Sequence, residues 1–441
     1  MRGFFYFYGL IKQSIVYTIS RIYFVSLAFI SVLPFLPLGD IPIDSKSYHW
    51  LLWGILNSVF IFSIYFYLKT EKFQFPTSPV LNSYLIFFII SSLSTIVALN
   101  KIESLVRLTD IFVILSSYAI VYFTIQNKLI KINFLLWLIF IKLFIEIGMV
   151  YYQLYYYTLG FQIDFNGNYS QYLKSFYGNK NVTSFALLIQ STISMILFTR
   201  LKSKGLRTLV LITILLSFYI LCFISTRAIF LTIFISLILT ILLFLYKYFY
   251  SNTKSFDELK KMSLYFIIIF SSYLLFNLTN NDQNIDVNDR LTSISRDSGD
   301  ESITNRIRFW NQAGTSILKN PVLGIGVGNW KIYSIKYDSE NIYSYVIPYS
   351  THNDFLEIFA ETGIFGFLFY LGFFILLIKR SILNLFKWIR SKLNHYHIYL
   401  FLCLIYFIID INLNFPLSRP LMQIVLVLFI VTFETLNYSE K

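Results

Sequence analysis

The chain has 441 residues, of which 56% are hydrophobic and 13% are charged, and its mean hydropathy is +0.64. This composition excludes an ordinary soluble domain. The net charge of +13 does not indicate a nucleic-acid partner, because the basic residues are scattered over many short segments and form no single stripe.

Apolar runs long enough to cross a bilayer as helices recur along the chain, so we predict an all-α polytopic protein embedded in a lipid bilayer. About twelve spans are predicted, near residues 22–38, 48–68, 80–98, 106–125, 132–152, 182–199, 208–225, 228–246, 262–278, 361–378, 397–413 and 420–437. Lys and Arg concentrate in alternate connecting segments, which predicts that both termini are cytoplasmic. Residues 1–278 would form nine spans and residues 361–441 the last three, with residues 279–360 as a large extracytoplasmic catalytic loop.

Two predicted outer segments are long enough to build a site. The first runs from Gln153 to Lys180. In the second, Asn280 to Asp300 is polar, and this stretch and the Tyr-rich segment 333–349 are candidate lids over a substrate.

The second outer segment also carries a helical pattern. Apolar residues recur at helical spacing from Ile303 to Ile317, and Asn320-Pro321 ends the pattern. The pattern predicts a short amphipathic helix at the outer membrane surface, with Arg306 and Trp310 on one face because they are four residues apart.

A glycine-rich turn and a helix start follow. Gly324 to Asn329 is interpreted as a flexible turn, and a dinucleotide-binding fingerprint is rejected because no soluble strand precedes it. Ser350 to Asp354 is typical of a capped helix start, which places His352 at a helix N-terminus beside the outer face of the membrane.

Three arginines and one histidine are predicted on this outer side. Taken singly, Arg227 would be an interfacial anchor that extends to the lipid head groups, and Arg306 or Arg308 part of a solvated helix face. His352 alone would be a helix-cap residue. Together, two or more arginines and a histidine suit the binding of a polyanionic head group and the removal of a proton from a nearby hydroxyl.

Other charged residues lie in or near the spans as three pairs: Lys142 with Glu146, Arg107 with Asp110, and Asp410 with Arg419. The spacing of the first two favours structural pairs over catalytic groups, whereas the third either lines a cavity or neutralises itself. The sequence has no His-Glu-x-x-His motif, Walker loop or dense ligand cluster, so no metal and no other cofactor is expected.

Several short motifs follow one another in a fixed order. They are Arg306-Ile307-Arg308-Phe309-Trp310, Asn320-Pro321-Val322-Leu323-Gly324-Ile325-Gly326, His352-Asn353-Asp354-Phe355-Leu356 and Glu361-Thr362-Gly363-Ile364-Phe365-Gly366, with Gly178-Asn179-Lys180-Asn181 and Ser225-Thr226-Arg227-Ala228 upstream. Their order and spacing resemble the O-antigen ligase and polymerase superfamily of bacterial membrane glycosyltransferases. Ala228 stands where that family usually has glycine, and Lys180 where it usually has proline.

The resemblance implies transfer of a glycan from a polyprenyl (undecaprenyl) diphosphate donor to an acceptor hydroxyl, on the periplasmic side of the bacterial inner membrane. Arg227 and Arg306 would stabilise the departing diphosphate, and His352 would accept the proton of the acceptor hydroxyl. Direct attack would invert the anomeric centre without a metal. Substrate-binding roles are expected for Arg308, Asn353, Trp310, Asn179, Asn181 and Glu361.

The favoured function is that of an O-antigen ligase with a lipid A-core acceptor. A polymerase, whose acceptor is a second lipid-linked glycan, and a protein O-oligosaccharyltransferase share the same motifs. A transporter of lipid-linked glycans is less favoured, because the polar residues concentrate at one surface instead of at the midplane.

Overall fold

The computed structural model describes residues 2–33, 45–68, 74–156, 169–250, 256–279, 301–338, 349–391 and 393–439. Within these ranges the regular elements are helices. In chain order they are α1 (Arg2–Ile30), α2 (Ser45–Leu68), α3 (Pro79–Ser94), α4 (Lys101–Gln126), α5 (Ile132–Tyr155), α6 (Lys180–Arg200), α7 (Lys204–Ile224), α8 (Arg227–Tyr250), α9 (Phe256–Thr279), α10 (Glu301–Lys319), α11 (Trp330–Asp338), α12 (Asp354–Ile389), α13 (Tyr396–Leu413) and α14 (Pro420–Ser439).

The predicted all-α polytopic membrane protein is confirmed. Eleven helices of the described chain are long and apolar enough to cross a bilayer. The difference from the twelve predicted spans lies in α1, which ends at Ile30, so that its described apolar part, Ser14–Ile30, is shorter than the others. The predicted span 22–38 ignored Pro34, and proline and its preceding residue both disfavour a continuing helix.

The predicted segments of the outer loops are only partly described. The helix predicted from Ile303 is confirmed as α10, which ends at Lys319, just before Asn320-Pro321. The candidate lid 280–300, residues 339–348 of the Tyr-rich segment and residues 157–168 of the first outer segment lie outside the described residues.

The helices pack into two compact units. The first unit comprises residues 1–135, 300–377 and 411–441, and the second comprises residues 136–299 and 378–410. The first unit therefore contains α10, the glycine turn and the start of α12, whereas the second contains α6 to α9.

A buried polar network fixes α1, α2 and α4 of the first unit. The Tyr23 hydroxyl donates to Asn57 Oδ1 over 2.8 Å, Asn57 Nδ2 donates to the Val113 carbonyl over 2.9 Å, and Trp53 Nε1 donates to Ser117 Oγ over 2.8 Å. Buried polar groups are costly unless paired, so these bonds select one arrangement of the three helices.

The glycine turn is packed tightly, and its interpretation as flexible is wrong. Gly324, Gly326 and Gly328 have φ of 67°, 93° and 76°, a region that favours glycine. The Gly326 amide donates to the Glu361 carbonyl over 2.9 Å. A Cβ on Gly326 would stand 2.5 Å from Ala98 Cβ, which is closer than packed carbon atoms approach. The glycines therefore let the turn pack against Ala98, which lies between α3 and α4, and against α4 and α12.

A second glycine effect shapes α12. Gly363 has φ 69° and interrupts the helix after Thr362, and a Cβ there would lie 2.0 Å from the Val322 carbonyl oxygen. The Ile364 amide donates to the Pro321 carbonyl over 2.9 Å. The segment from Asp354 to Thr362 is thus set off from the long apolar part of α12 and held against the turn.

In the second unit, the predicted Lys142–Glu146 pair is formed and fully buried. The Tyr177 hydroxyl donates to Glu146 Oε1 over 2.7 Å, and Gln190 Nε2 donates to Glu146 Oε2 over 2.6 Å. A buried ion pair is stable only when such hydrogen bonds satisfy its remaining atoms. The network ties α5 and α6 to the segment that contains Tyr177.

Candidate functional site

A large cavity of about 1170 Å³ opens in the first unit. Its walls come from α2, α4, α10, the glycine turn, the start of α12 and the segment that precedes α14. The charged or titratable residues that line it are Glu103, Arg107, Asp110, Arg306, Lys331, His352, Glu357, Glu361 and Arg419. Ionisable groups gathered in one cavity of a membrane protein indicate a functional site.

His352 lies in this cavity immediately before α12, as predicted. Its φ is 57°, a left-handed conformation that is uncommon for a residue other than glycine. Such a conformation persists only where the surrounding contacts hold it, and it is concentrated at functional sites.

The contacts that hold His352 come from both of its neighbours. Trp310 Nε1 donates to the Thr351 carbonyl over 3.1 Å, and the Thr351 amide donates to Glu357 Oε2 over 3.0 Å. On the other side Asn353 caps α12, because its Oδ1 accepts from the Leu356 amide over 3.1 Å. The predicted capped helix start is confirmed, and His352 is fixed between the two anchors.

The imidazole of His352 lies between two aromatic rings. Phe309 is nearly parallel to it with centroids 6.4 Å apart, and Phe415 meets it edge-on at 4.9 Å. Burial, and then the positive charges of Arg306 and Arg419, lower the pKa of His352 to about 4. The ring is therefore neutral at physiological pH. Its Nδ1 is buried without a hydrogen-bond partner among the described residues.

Arginines surround this imidazole from different elements. Arg306 comes from α10, and Arg419 comes from the segment before α14, where its guanidinium lies 4.8 Å from the centroid of the Phe415 ring. Asp354 fixes that segment, because its Oδ2 accepts from the Leu417 amide over 2.8 Å. Guanidinium groups keep their charge at any physiological pH and pair with phosphate oxygens through two hydrogen bonds.

Carboxylates line the neighbouring wall. Glu361 is 3% exposed and accepts from the Trp330 amide over 2.8 Å. Arg107 Nη1 lies 3.8 Å from Asp110 Oδ2, so the predicted pair is formed. The same nitrogen donates to the Leu417 carbonyl over 3.3 Å. The cavity thus places cations beside the imidazole and hydrogen-bond acceptors next to them.

One part of the cavity lining is apolar. It is lined by side chains of α2 and α4 that are more than half exposed: Leu51 61%, Ile55 51%, Val59 56%, Val106 55% and Phe112 53%. Because α2 and α4 are candidate membrane spans, this part of the cavity opens toward hydrocarbon.

Three of the predicted site residues, His352, Arg306 and Glu361, line the same cavity. Trp310 and Asn353 instead hold the segment that carries His352. Arg308 is not among the described residues that line the cavity, and its guanidinium lies 5.2 Å from the centroid of the Phe309 ring.

The remaining predicted site residues belong to the second unit. Arg227 is the first residue of α8, two residues after Ser225, whose φ of 50° ends α7 in a left-handed cap. Asn179 caps α6, because its Oδ1 accepts from the amides of Asn181 over 2.9 Å and Val182 over 3.3 Å. The catalytic role of Arg227 and the substrate-binding roles of Asn179 and Asn181 stay predictions.

The two departures from the usual motifs fit these helix starts. Lys180 occupies the first position of α6, where proline is favoured but not required. Ala228 is not among the residues of positive φ, so glycine is not needed for its backbone conformation. Both departures are therefore compatible with the observed starts of α6 and α8.

Several residues that line the cavity were not predicted as site residues from the sequence. Glu357 and Arg107 were not assigned to the site, and Arg419 was offered only as a residue that lines a cavity or pairs with Asp410. The structure shows that Arg419 lines the cavity. The available signal was the position of Arg419 at a predicted outer helix end beside proline.

Part of the chain matches a known family. Residues 212–371 match the family model described as O-antigen ligase, a range that includes Arg227, Arg306, His352 and Glu361. The match confirms the resemblance to the O-antigen ligase and polymerase superfamily. No curated protein matches the chain.

Proposed function

We propose that this chain, as a member of the O-antigen ligase and polymerase superfamily, transfers a glycan from a polyprenyl (undecaprenyl) diphosphate donor to a lipid A-core hydroxyl. The reaction would take place on the periplasmic side of the bacterial inner membrane, with both termini in the cytoplasm. The observation that carries the proposal is the cavity in which a neutral, partly buried imidazole, His352, lies near Arg306 and Arg419.

The reaction needs a base for the proton of the acceptor and positive charge for the leaving group. The acceptor hydroxyl attacks the anomeric carbon and gives its proton to His352, while the bond from that carbon to the diphosphate oxygen breaks and its electron pair leaves with the lipid diphosphate. Arg306 and Arg419 stabilise the negative charge that develops on the departing group. Because the attack is opposite to the leaving group, the anomeric centre inverts, and no step uses a metal.

The apolar lining of the cavity suits the isoprenoid tail of the donor. The diphosphate lies at the arginines, and the isoprenoid tail extends along the exposed apolar side chains of α2 and α4. Each CH₂ group removed from water contributes about 0.8 kcal/mol. Hydroxyl groups of the sugars are suitable donors to the carboxylates of Glu357 and Glu361.

Reconstitution tests the proposal directly. The purified protein is mixed with a fluorescent lipid diphosphate-linked glycan and a lipid A-core acceptor, and product is followed by gel shift and by the anomeric configuration of the new bond. We expect transfer with inversion, abolished by His352→Ala in a variant that elutes as the folded protein. Full activity of His352→Ala would refute the role of His352 as the base. Retention of configuration would refute direct displacement.

The acceptor arm of the same experiment separates the alternatives. A polymerase would extend a lipid-linked repeat unit and leave the lipid A-core acceptor unused. A transporter would give no product with a donor that a control enzyme accepts, and would move that donor across liposomes. Either result would overturn the ligase assignment.

A further inference from the structure

A second cavity lies in the second unit, between α8 and α9, and has a volume of about 650 Å³. Apart from Thr240, Lys247 and Ser263 its lining is aliphatic, aromatic or methionine. Its outer edges are open, because Ile241 is 49% and Ile267 57% exposed. We call it the α8–α9 cleft.

The position of the cleft decides what can fill it. Both helices are candidate membrane spans, so the open edges face hydrocarbon instead of water. A cleft with so few polar atoms holds water poorly, since a buried water needs two to four polar partners. A hydrocarbon chain fills it well, because it gains dispersion contacts along both walls.

One end of the cleft carries a buried ammonium group that is held by an ion pair. Lys247 is 4% exposed, its Nζ is 2.6 Å from Glu258 Oε2 and 4.2 Å from the centroid of the Trp388 ring. Glu258 Oε2 also accepts from Trp388 Nε1 over 3.1 Å. The ion pair and the ring together hold the ammonium at one place along the cleft.

Further cations lie at the same end. Lys260 and Lys261 follow Glu258 on α9. Burial, and then the charges of Lys261 and Lys247, lower the pKa of His395 to about 4. Lys247, Lys260 and Lys261 outnumber the carboxylates Asp257 and Glu258 on these two helices, so the net charge of this group is positive. A positive end joined to an apolar cleft matches a molecule with an anionic head and a hydrocarbon chain.

We propose that the α8–α9 cleft binds an anionic glycerophospholipid, with one acyl chain between the two helices and the phosphate at the Lys247 end. This site is built from the second unit alone, and none of its residues belongs to the cavity that contains His352. Its ligand is thus a bound lipid of the surrounding membrane and not the glycan donor.

Native mass spectrometry of the full-length protein in detergent measures this binding. Titration with phosphatidylglycerol and with phosphatidylcholine of the same chains compares the two head groups. We expect the first phosphatidylglycerol to bind the wild-type protein at least ten times more tightly than phosphatidylcholine. Equal affinities would overturn the proposal without the need for any variant.

Two adjacent positions provide a matched pair of variants. Ile241→Trp fills the cleft, whereas Leu242→Trp adds the same ring at a side chain that is 55% exposed and does not line the cleft. We expect Ile241→Trp to weaken phosphatidylglycerol binding at least tenfold and Leu242→Trp to leave it unchanged. Equal effects of both variants would place the lipid elsewhere.

The charge and the identity of the lipid are tested separately. Lys247→Met combined with Glu258→Gln removes the ion pair without leaving one charge buried alone, and should abolish the preference for phosphatidylglycerol. Retention of the preference would contradict the placement of the phosphate. Polyprenyl phosphate should not displace the bound phosphatidylglycerol. Displacement that is lost in Ile241→Trp would make the cleft a carrier-lipid site instead.

Discussion

If His352 is the base, the pH dependence of kcat/KM is set by an imidazole that resists protonation. Its pKa falls from 6.5 to about 4 through burial and through the charges of Arg306 and Arg419. This weakens proton binding roughly 300-fold, or by about 3 kcal/mol, since one pKa unit corresponds to ~1.4 kcal/mol. We expect kcat/KM to stay level from pH 7 to about pH 5 and to fall at lower pH with a midpoint near 4.

The cause of this midpoint is testable by removing one charge. Arg419→Gln takes away a positive neighbour of the imidazole, so the midpoint of kcat/KM should move upward toward 6.5. Arg308→Gln is the matched control, because that guanidinium is not one of the charges that lower the pKa of His352. A wild-type midpoint near 6.5, or the same midpoint in both variants, would refute the reasoning.

The same group links folding to pH. The unfolded imidazole has the higher pKa, so the unfolded state binds the proton first as the pH falls. The contribution of His352 to stability is fully present above pH 6.5 and is lost between 6.5 and about 4. Thermal unfolding in detergent should show a smaller loss over this range for His352→Gln than for the wild-type protein, and an equal loss would contradict the depressed pKa.

Three further changes have definite outcomes. Arg306→Lys should restore little of the transfer activity lost in Arg306→Ala, because lysine cannot form the paired hydrogen bonds, and efficient rescue in the reconstituted assay would argue against them. Gly326→Ala should lower the unfolding temperature by several degrees because its Cβ would overlap Ala98, whereas Gly314→Ala in open helical space should not lower it. Lys142→Met should cost about 3–5 kcal/mol of stability by leaving Glu146 buried and unpaired, and the double variant Lys142→Met with Glu146→Leu should cost less, as unfolding curves would show.

The parts of the fold that follow local rules were predictable. The length of the apolar runs predicted the spans. The helical spacing of apolar residues, followed by Asn320-Pro321, predicted α10 and its end. The polar run before Phe355 gave the capped start of α12, and with it the position of His352. The end of α1 was predicted wrongly, because the apolar character of residues 22–38 was given more weight than the proline at position 34.

The glycine turn shows where local reading fails. Gly324, Gly326 and Gly328 indicate flexibility when only their neighbours in sequence are considered. Their role depends on Ala98, Glu103 and Glu361, whose backbones or side chains come within about 3 Å of where each Cβ would stand. Only long-range packing distinguishes a flexible turn from one in which close approach requires the absence of a side chain.

Arg419 illustrates the same limit for the site. It lines the cavity that contains His352 in a segment whose Leu417 amide donates to Asp354, the first residue of α12, across 63 positions of sequence. Arg107 reaches the same segment through the Leu417 carbonyl, from 310 positions away. Residue type and sidedness predicted that arginines would be used, but which arginines converge depends on these two bonds.

The electrostatics of the cavity also order the proposed reaction. In the free protein burial, and then Arg306 and Arg419, oppose protonation of His352 and make it a weak base. A bound diphosphate neutralises those charges, so it raises the basicity of the imidazole at the moment when an acceptor hydroxyl must lose its proton. The midpoint for kcat, which reports the complex, should therefore lie above the midpoint for kcat/KM. A diphosphate bound at these arginines thus makes the base more effective when a donor is present.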